Sequence, residues 1–256
     1  MQNVMIAFLL TTIAGFATGI GSLMALFVKR DNKKILPISM GFSAGVMIYV
    51  SLVELFINSK DSLISSFGDF NGYLITIISF FSGMLLIMFI NKVVPEENFQ
   101  RKNNSKISSL YRVGVFTALV LAIHNFPEGF ATFVSAVYNP TLGIAITIAL
   151  AIHNIPEGMS IAVPIYYATG SRKKAFFYSF LTGLVEPIGA IIGYLIFGAI
   201  LNEVTFGIIF GVVAGIMIYI SLFELIPSAL RNGEEKYVSV GGIVGMLVMA
   251  ISLLLL

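Results

Sequence analysis

Both histidines of the chain open the same six-residue motif, His124-Asn125-Phe126-Pro127-Glu128-Gly129 and His153-Asn154-Ile155-Pro156-Glu157-Gly158. Each copy offers an imidazole nitrogen, an amide oxygen and a carboxylate within five residues, a donor set suited to a divalent cation. The chain has no cysteine, so thiolate ligands and disulfides are excluded. What remains are nitrogen, oxygen and thioether donors, which favour Zn, Fe(II), Mn or Co over Cu(I). On a helix, residues i and i+4 share a face. His124 therefore pairs with Glu128, with Asn125 at the edge of that face, and His153, Glu157 and Asn154 repeat the arrangement. Pro127 and Pro156 cannot donate to the helical ladder and crowd the carbonyls of Ile123 and Ile152. Those carbonyls need a partner in the protein, in a water-filled cavity or in a cation.

The elements that must carry these residues are membrane spans. The chain of 256 residues is 57% hydrophobic and 11% charged, far below the roughly 25% charge of a soluble domain. Eight apolar runs can each cross about 30 Å of hydrocarbon, near 4–28, 35–58, 72–91, 110–137, 141–168, 173–198, 204–230 and 238–256. The first has no basic residue ahead of it and reads as a retained span rather than a cleaved leader. Loops after spans 1, 3, 5 and 7 hold fourteen of the fifteen Lys and Arg residues, and only Lys60 lies on the other side. The positive-inside rule then places those loops in the cytoplasm and both termini outside, in the plasma membrane. The polar segment 92–109 is a cytoplasmic loop whose Glu96 and Glu97 read as solvated linker. No acidic or basic domain is present to meet nucleic acid.

Ser43–Leu55 in span 2 and Val213–Leu225 in span 7 are identical at nine of thirteen positions. These spans run in opposite directions, as do spans 4 and 5. The expected fold is an all-α integral membrane protein of eight transmembrane helices, with spans 1–3 and 6–8 as inverted repeats around a hairpin of spans 4 and 5. It reads as a single domain over 1–256. Inverted repeats with broken helices and a binding site near the midplane mark secondary transporters. His124 lies roughly 21 Å along span 4 and His153 roughly 18 Å along span 5, so both fall near mid-membrane. Glu186, followed by Pro187, lies at a similar depth in span 6. Three carboxylates in one layer repel one another unless cations or protons neutralise them, which predicts one or two metals in transit. Glu54 and Glu224, related by the repeat, are expected at opposite mouths of the path. Met47, on about the same face as Glu54, could turn a thioether toward the site.

In combination these motifs resemble the ZIP (Zrt-, Irt-like) metal transporters, and look closest to their ZupT-like bacterial branch, over essentially the whole chain. The resemblance implies transport of Zn²⁺, and also of Fe²⁺, Mn²⁺, Co²⁺ or Cd²⁺, toward the cytoplasm. One metal position would use His124, Glu128, His153 and Glu157 with Met47. An adjacent one would use Asn125, Asn154 and Glu186, sharing Glu128 and Glu157. The family's usual histidine-rich cytoplasmic loop is missing, since no histidine lies outside the two motifs. The expected partners are divalent metal ions, the lipid bilayer and a second copy of the chain in a homodimer, with metal as cargo rather than cofactor. An intramembrane zinc hydrolase is the enzymatic alternative. Here the residue beside each histidine is Asn, where the zinc-hydrolase HExxH pattern has Glu. A membrane metal sensor without flux is the other alternative.

Overall fold

The computed structural model describes residues 2–27, 32, 34–93, 105–138, 140–197 and 202–255. Among the described residues the chain is helical throughout, with no strand, and eight helices are long and apolar enough to cross a membrane. Span 1 is Gln2–Phe27, span 3 Asp69–Val93, span 4 Ser105–Tyr138, span 5 Pro140–Thr169 and span 8 Glu235–Leu255. Span 6 is interrupted, with halves Arg172–Gly183 and Val185–Phe197. Spans 2 and 7 each change helical type midway. Span 2 is Ile35–Val50, a π-helical turn Ser51–Leu55, then Phe56–Phe67; span 7 is Glu203–Tyr219, a π-helical turn Ile220–Leu225, then Ile226–Asn232. Most of the linker segment, with Glu96 and Glu97, lies outside the described residues.

Span 1 shows why these helices pack as they do. Leu9, Ile13, Phe16 and Ile20 are exposed along one stripe, while Ala7, Thr11, Ala14, Thr18 and Ser22 are buried on the other. Large apolar residues face lipid and small ones face protein, the pattern expected where water supplies no drive to bury leucine. Span 2 continues as helix to Phe67 past its expected end at 58, because Ser59 and Leu63 are buried and Ser59 Oγ donates to the Gly207 carbonyl of span 7 (2.6 Å). Gly68 then joins spans 2 and 3 at φ 77° and ψ 168°, a region that essentially only glycine occupies.

The repeated sequence of spans 2 and 7 produces repeated structure. Ser51 Oγ donates to the Met47 carbonyl (2.5 Å) and Ser221 Oγ to the Met217 carbonyl (2.8 Å). The Met47 carbonyl accepts the Ser51 N–H as well as its hydroxyl, a sharing that bends helices. One step on, the ladder widens: Phe56 N–H donates to the Ser51 carbonyl and Ile226 N–H to that of Ser221. Glu54 and Glu224 both fall inside these widened turns. Packing repeats too. Span 8 lies along span 2 and span 3 along span 7, while span 1 lies along span 5 and span 4 along the second half of span 6. A pseudo-two-fold axis in the membrane plane therefore exchanges spans 1 and 6, 2 and 7, 3 and 8, and 4 and 5.

The prolines of the two motifs do not break their helices. Spans 4 and 5 run continuously through positions 127 and 156, and neighbouring spans bond other carbonyls of the span 5 motif. Ser43 Oγ of span 2 donates to the Pro156 carbonyl (2.7 Å), and Ser179 Oγ of span 6 donates to that of Gly158 (3.0 Å). The break is in span 6, at Leu184, just before Glu186-Pro187.

Candidate functional site

Spans 4 and 5 bring the two motifs together as antiparallel neighbours. His124 is fully buried, and its Nε2 lies 3.2 Å from Glu128 Oε2 on its own helix, the i, i+4 pair read from the sequence. The same Nε2 lies 3.4 Å from Glu157 Oε1 on span 5, so one imidazole touches a carboxylate from each motif. The His153 backbone sits in span 5, and its side chain lies outside the described residues.

The asparagines hold the outer spans to this pair. Asn154 Nδ2 donates to the Ala14 carbonyl of span 1 (2.9 Å) and to Glu186 Oε1 of span 6 (2.6 Å). Asn125 Nδ2 donates to the Thr182 carbonyl of span 6 (3.1 Å). Glu186 is wholly buried in the first turn of the second half of span 6, where the helix dipole favours a negative charge. Pro187 has no N–H to offer that carboxylate or the ladder.

The layer closes tightly because glycines stand wherever backbones meet. A Cβ at Gly129 would strike the Glu186 carbonyl and one at Gly189 the Phe126 carbonyl; a Cβ at Gly158 would strike the Thr18 carbonyl and one at Gly21 the Ile155 carbonyl. Gly15 and Gly183 cross each other on the same terms. Spans 1, 4, 5 and 6 thus form one bundle around the motif residues.

Within it, His124 Nδ1, Asn125 Oδ1, Asn154 Oδ1, Glu157 Oε2 and Glu186 Oε2 are buried and make no hydrogen bond among the described residues. A buried polar atom without a partner carries a desolvation cost of about 1–3 kcal/mol, so five around one layer mark a place built for something that bonds them. Chemically, the set of nitrogen, amide oxygen and carboxylate suits a divalent cation. The atoms are not drawn into a finished cage: among the described residues no three His, Asp or Glu side chains are grouped as a metal-holding cluster.

The remaining expected residues take no part in the motif bonds described above. Met47 is fully buried in the apolar core, one turn beyond Ser43 on the face that meets span 5. Glu54 is half-buried in the π-helical turn of span 2. Glu224 is buried and accepts from Asn91 Nδ2 of span 3 (2.7 Å), while Asn91 Oδ1 accepts from Arg112 Nη2 of span 4 (2.7 Å). Sequence reasoning missed that chain, and it missed span 1, which contributes only a carbonyl, glycines and Thr18. A signal for span 1 exists: Ala14-Gly15-Phe16-Ala17-Thr18-Gly19-Ile20-Gly21 matches Thr182–Gly189 at Gly15, Ile20 and Gly21. Three identities in eight among small and apolar residues are too few to stand out.

Comparison with known proteins places these features in a family. The profile of the family described as ZIP Zinc transporter matches residues 93–253. A protein named zinc transporter ZupT from Clostridium perfringens is 54% identical, with 100% of this chain and 97% of the relative covered. One of the same name from Oceanobacillus iheyensis is 54% identical with 100% of both chains covered. Another from Streptococcus mutans is 49% identical, covering 99% of this chain and 98% of the relative.

Proposed function

The chain belongs to the ZIP family of zinc transporters, and from that premise and the geometry above we propose that it carries Zn²⁺ into the cytoplasm through the layer formed by its two motifs. Other divalent cations with similar donor preferences, Fe²⁺, Mn²⁺, Co²⁺ and Cd²⁺, are further cargo. The ligands are His124, Glu128, His153 and Glu157 at one position, and Asn125, Asn154 and Glu186 at an adjacent one that shares the two motif glutamates. One observation carries this reading: buried nitrogen and oxygen donors from spans 4, 5 and 6 meet in one layer with lone pairs unused. Three ionised glutamates against one divalent cation leave a single negative charge, and against two leave a single positive one. A glutamate proton adjusts the balance. Donors without thiolate bind firmly enough to strip water from the ion, yet release it.

The charge distribution of the loops supports both termini outside the plasma membrane. Glu54 and Glu224, at corresponding places in oppositely running spans, attract cations on the outer and inner sides of the layer. Met47 lies on the path between Glu54 and the motifs. The whole of 1–256 acts as one transport domain, with a homodimer as its assembly.

The test is zinc uptake into proteoliposomes by the purified chain and by Glu157→Ala. The substitution removes a carboxylate that touches His124 and is expected to abolish uptake while the protein elutes and unfolds like the parent. Wild-type flux from the variant would refute a shared ligand at this position. Hydrolysis of peptide or lipid amide in the same vesicles, without flux, would refute transport itself.

A further inference from the structure

The pseudo-two-fold axis holds at the level of single bonds. The carbonyls of Ala14 and Thr182 accept from Asn154 and Asn125 respectively. Gly15 and Gly183 cross each other; Gly21 and Gly189 cover the carbonyls of Ile155 and Phe126; and Gly158 and Gly129 cover those of Thr18 and Glu186. Every pair between spans 1 and 6 keeps the same sequence offset. By that correspondence the structural counterpart of Glu186 is Thr18.

Thr18 is fully buried, and its Oγ1 makes no hydrogen bond among the described residues. Buried threonines in helices ordinarily return the hydroxyl to the carbonyl four residues back. Thr11 does so (3.0 Å), as do Thr76 (2.9 Å), Thr132 (2.9 Å) and Thr147 (2.7 Å); Thr182 bonds the carbonyl three residues back, and Thr117 is, like Thr18, without a bond among the described residues. For Thr18 that carbonyl belongs to Ala14, and it already accepts from Asn154. The amide that symmetry sets beside Thr18 is Asn125, whose Oδ1 also has no hydrogen bond. By symmetry Thr18 and Asn125 correspond to Glu186 and Asn154, an uncharged oxygen pair in place of a charged one.

We propose that Thr18 is a specificity-determining residue of the metal path, its hydroxyl and Asn125 Oδ1 giving a neutral oxygen half-site related by symmetry to the charged one. This rests on the metal-transport reading. A carboxylate at position 18 would make a fourth in the layer and hold a divalent cation too firmly to release. A hydroxyl keeps an oxygen donor there without the charge.

The experiment measures Zn²⁺ and Mn²⁺ binding to the detergent-purified chain by equilibrium dialysis, and KM and Vmax of uptake in proteoliposomes, for T18V, T18S, T18E and E186Q. Valine matches threonine in shape and lacks only the hydroxyl. T18V is expected to raise the Zn²⁺ dissociation constant and KM about tenfold, the scale of one lost polar contact, with Vmax nearly unchanged and with the Zn²⁺/Mn²⁺ ratio altered. T18S restores all three. T18E binds more tightly and turns over more slowly. Wild-type binding, KM and metal ratio in T18V, alongside lost binding in E186Q, would overturn the proposal and leave the site standing. Wild-type binding in E186Q would instead overturn that residue's place in the site. If T18V is not recovered folded, T18E decides: unchanged affinity and turnover in that variant refute the half-site.

Discussion

Gly21→Ala tests whether the proposed metal layer depends on backbone contact between spans 1 and 5. The added Cβ would stand 2.9 Å from the Ile155 carbonyl carbon and 3.2 Å from the Gly158 Cα, and would collide with the Ile155 carbonyl oxygen. Carbon atoms settle near 3.5–4.0 Å, so the two spans must part by about 1 Å. No flexible side chain can give way, since all three atoms are backbone. Overpacking of this kind costs about 1–3 kcal/mol. The displacement would also stretch the 2.9 Å bond from Asn154 to the Ala14 carbonyl beyond hydrogen-bonding range, a further loss of about 1 kcal/mol. Asn154 orients Glu186, so the donors on span 5 shift against those on span 6. A misplacement of that size at a binding constellation is worth on the order of a hundredfold. The assay pairs thermal unfolding of the detergent-purified chain with KM for zinc in proteoliposomes. Gly189→Ala, related by the two-fold axis, should behave alike, since its Cβ meets the Phe126 carbonyl carbon at 2.9 Å. Gly242→Ala is the control: its nearest neighbour would lie 3.7 Å away, an ordinary contact. If Gly21→Ala transports zinc with the parent KM, the claim that close packing positions the site fails.

Ser43→Ala removes the bond to the Pro156 carbonyl and should lower stability by about 1 kcal/mol; a thermal scan without added metal reads it, and no change would mean that bond supports nothing. Zinc at about a hundred times its dissociation constant should stabilise the chain by about 2.7 kcal/mol, seen as a rise in unfolding temperature. His124→Ala should abolish that rise, and its persistence would place the metal elsewhere.

Much of this was legible in the sequence because a membrane restricts what a chain can be. Backbone in hydrocarbon must be helical, so hydropathy alone gives eight spans, and helical spacing alone pairs His124 with Glu128. The repeat of spans 2 and 7 was visible because Met-Ile-Tyr-x-Ser-Leu-x-Glu-Leu contains polar and aromatic residues that rarely recur by accident. The partnership of spans 1 and 6 was not, because its contacts run through glycines and carbonyls, and a carbonyl has no letter in a sequence. Proline misled for a related reason. Its local rule marks a break at 127 and 156, but spans distant in the chain pack backbone to backbone against both motifs and the helices continue. The break falls in span 6, whose Pro187 gives the same local signal.

An inverted repeat equates the two faces of the membrane, so any difference between them must come from residues that depart from the symmetry. The bonded chain from Arg112 through Asn91 to Glu224 is one such departure. The contacts that match Gly83 over the Val212 carbonyl with Gly245 over the Phe42 carbonyl equate spans 3 and 8, and this register sets apolar Leu253 where Asn91 would recur. Asn91 ties spans 3, 4 and 7 together at the end that the proposed orientation places in the cytoplasm, and the motif residues ride on span 4. We therefore expect this link to hold the inner side closed. Asn91→Leu removes a hydrogen bond to a carboxylate and one from a guanidinium, each worth about 1.5–3 kcal/mol, enough to shift an opening equilibrium more than tenfold. The chain has no cysteine, so a single Ser228→Cys just beyond Glu224, buried at 3% exposure, reports on opening without background. Labelling by an impermeant maleimide in inside-out vesicles should accelerate at least tenfold when Asn91→Leu is added, and should stay slow in right-side-out vesicles. Equal labelling rates with and without the Asn91 substitution would show that the link does not hold the inner side.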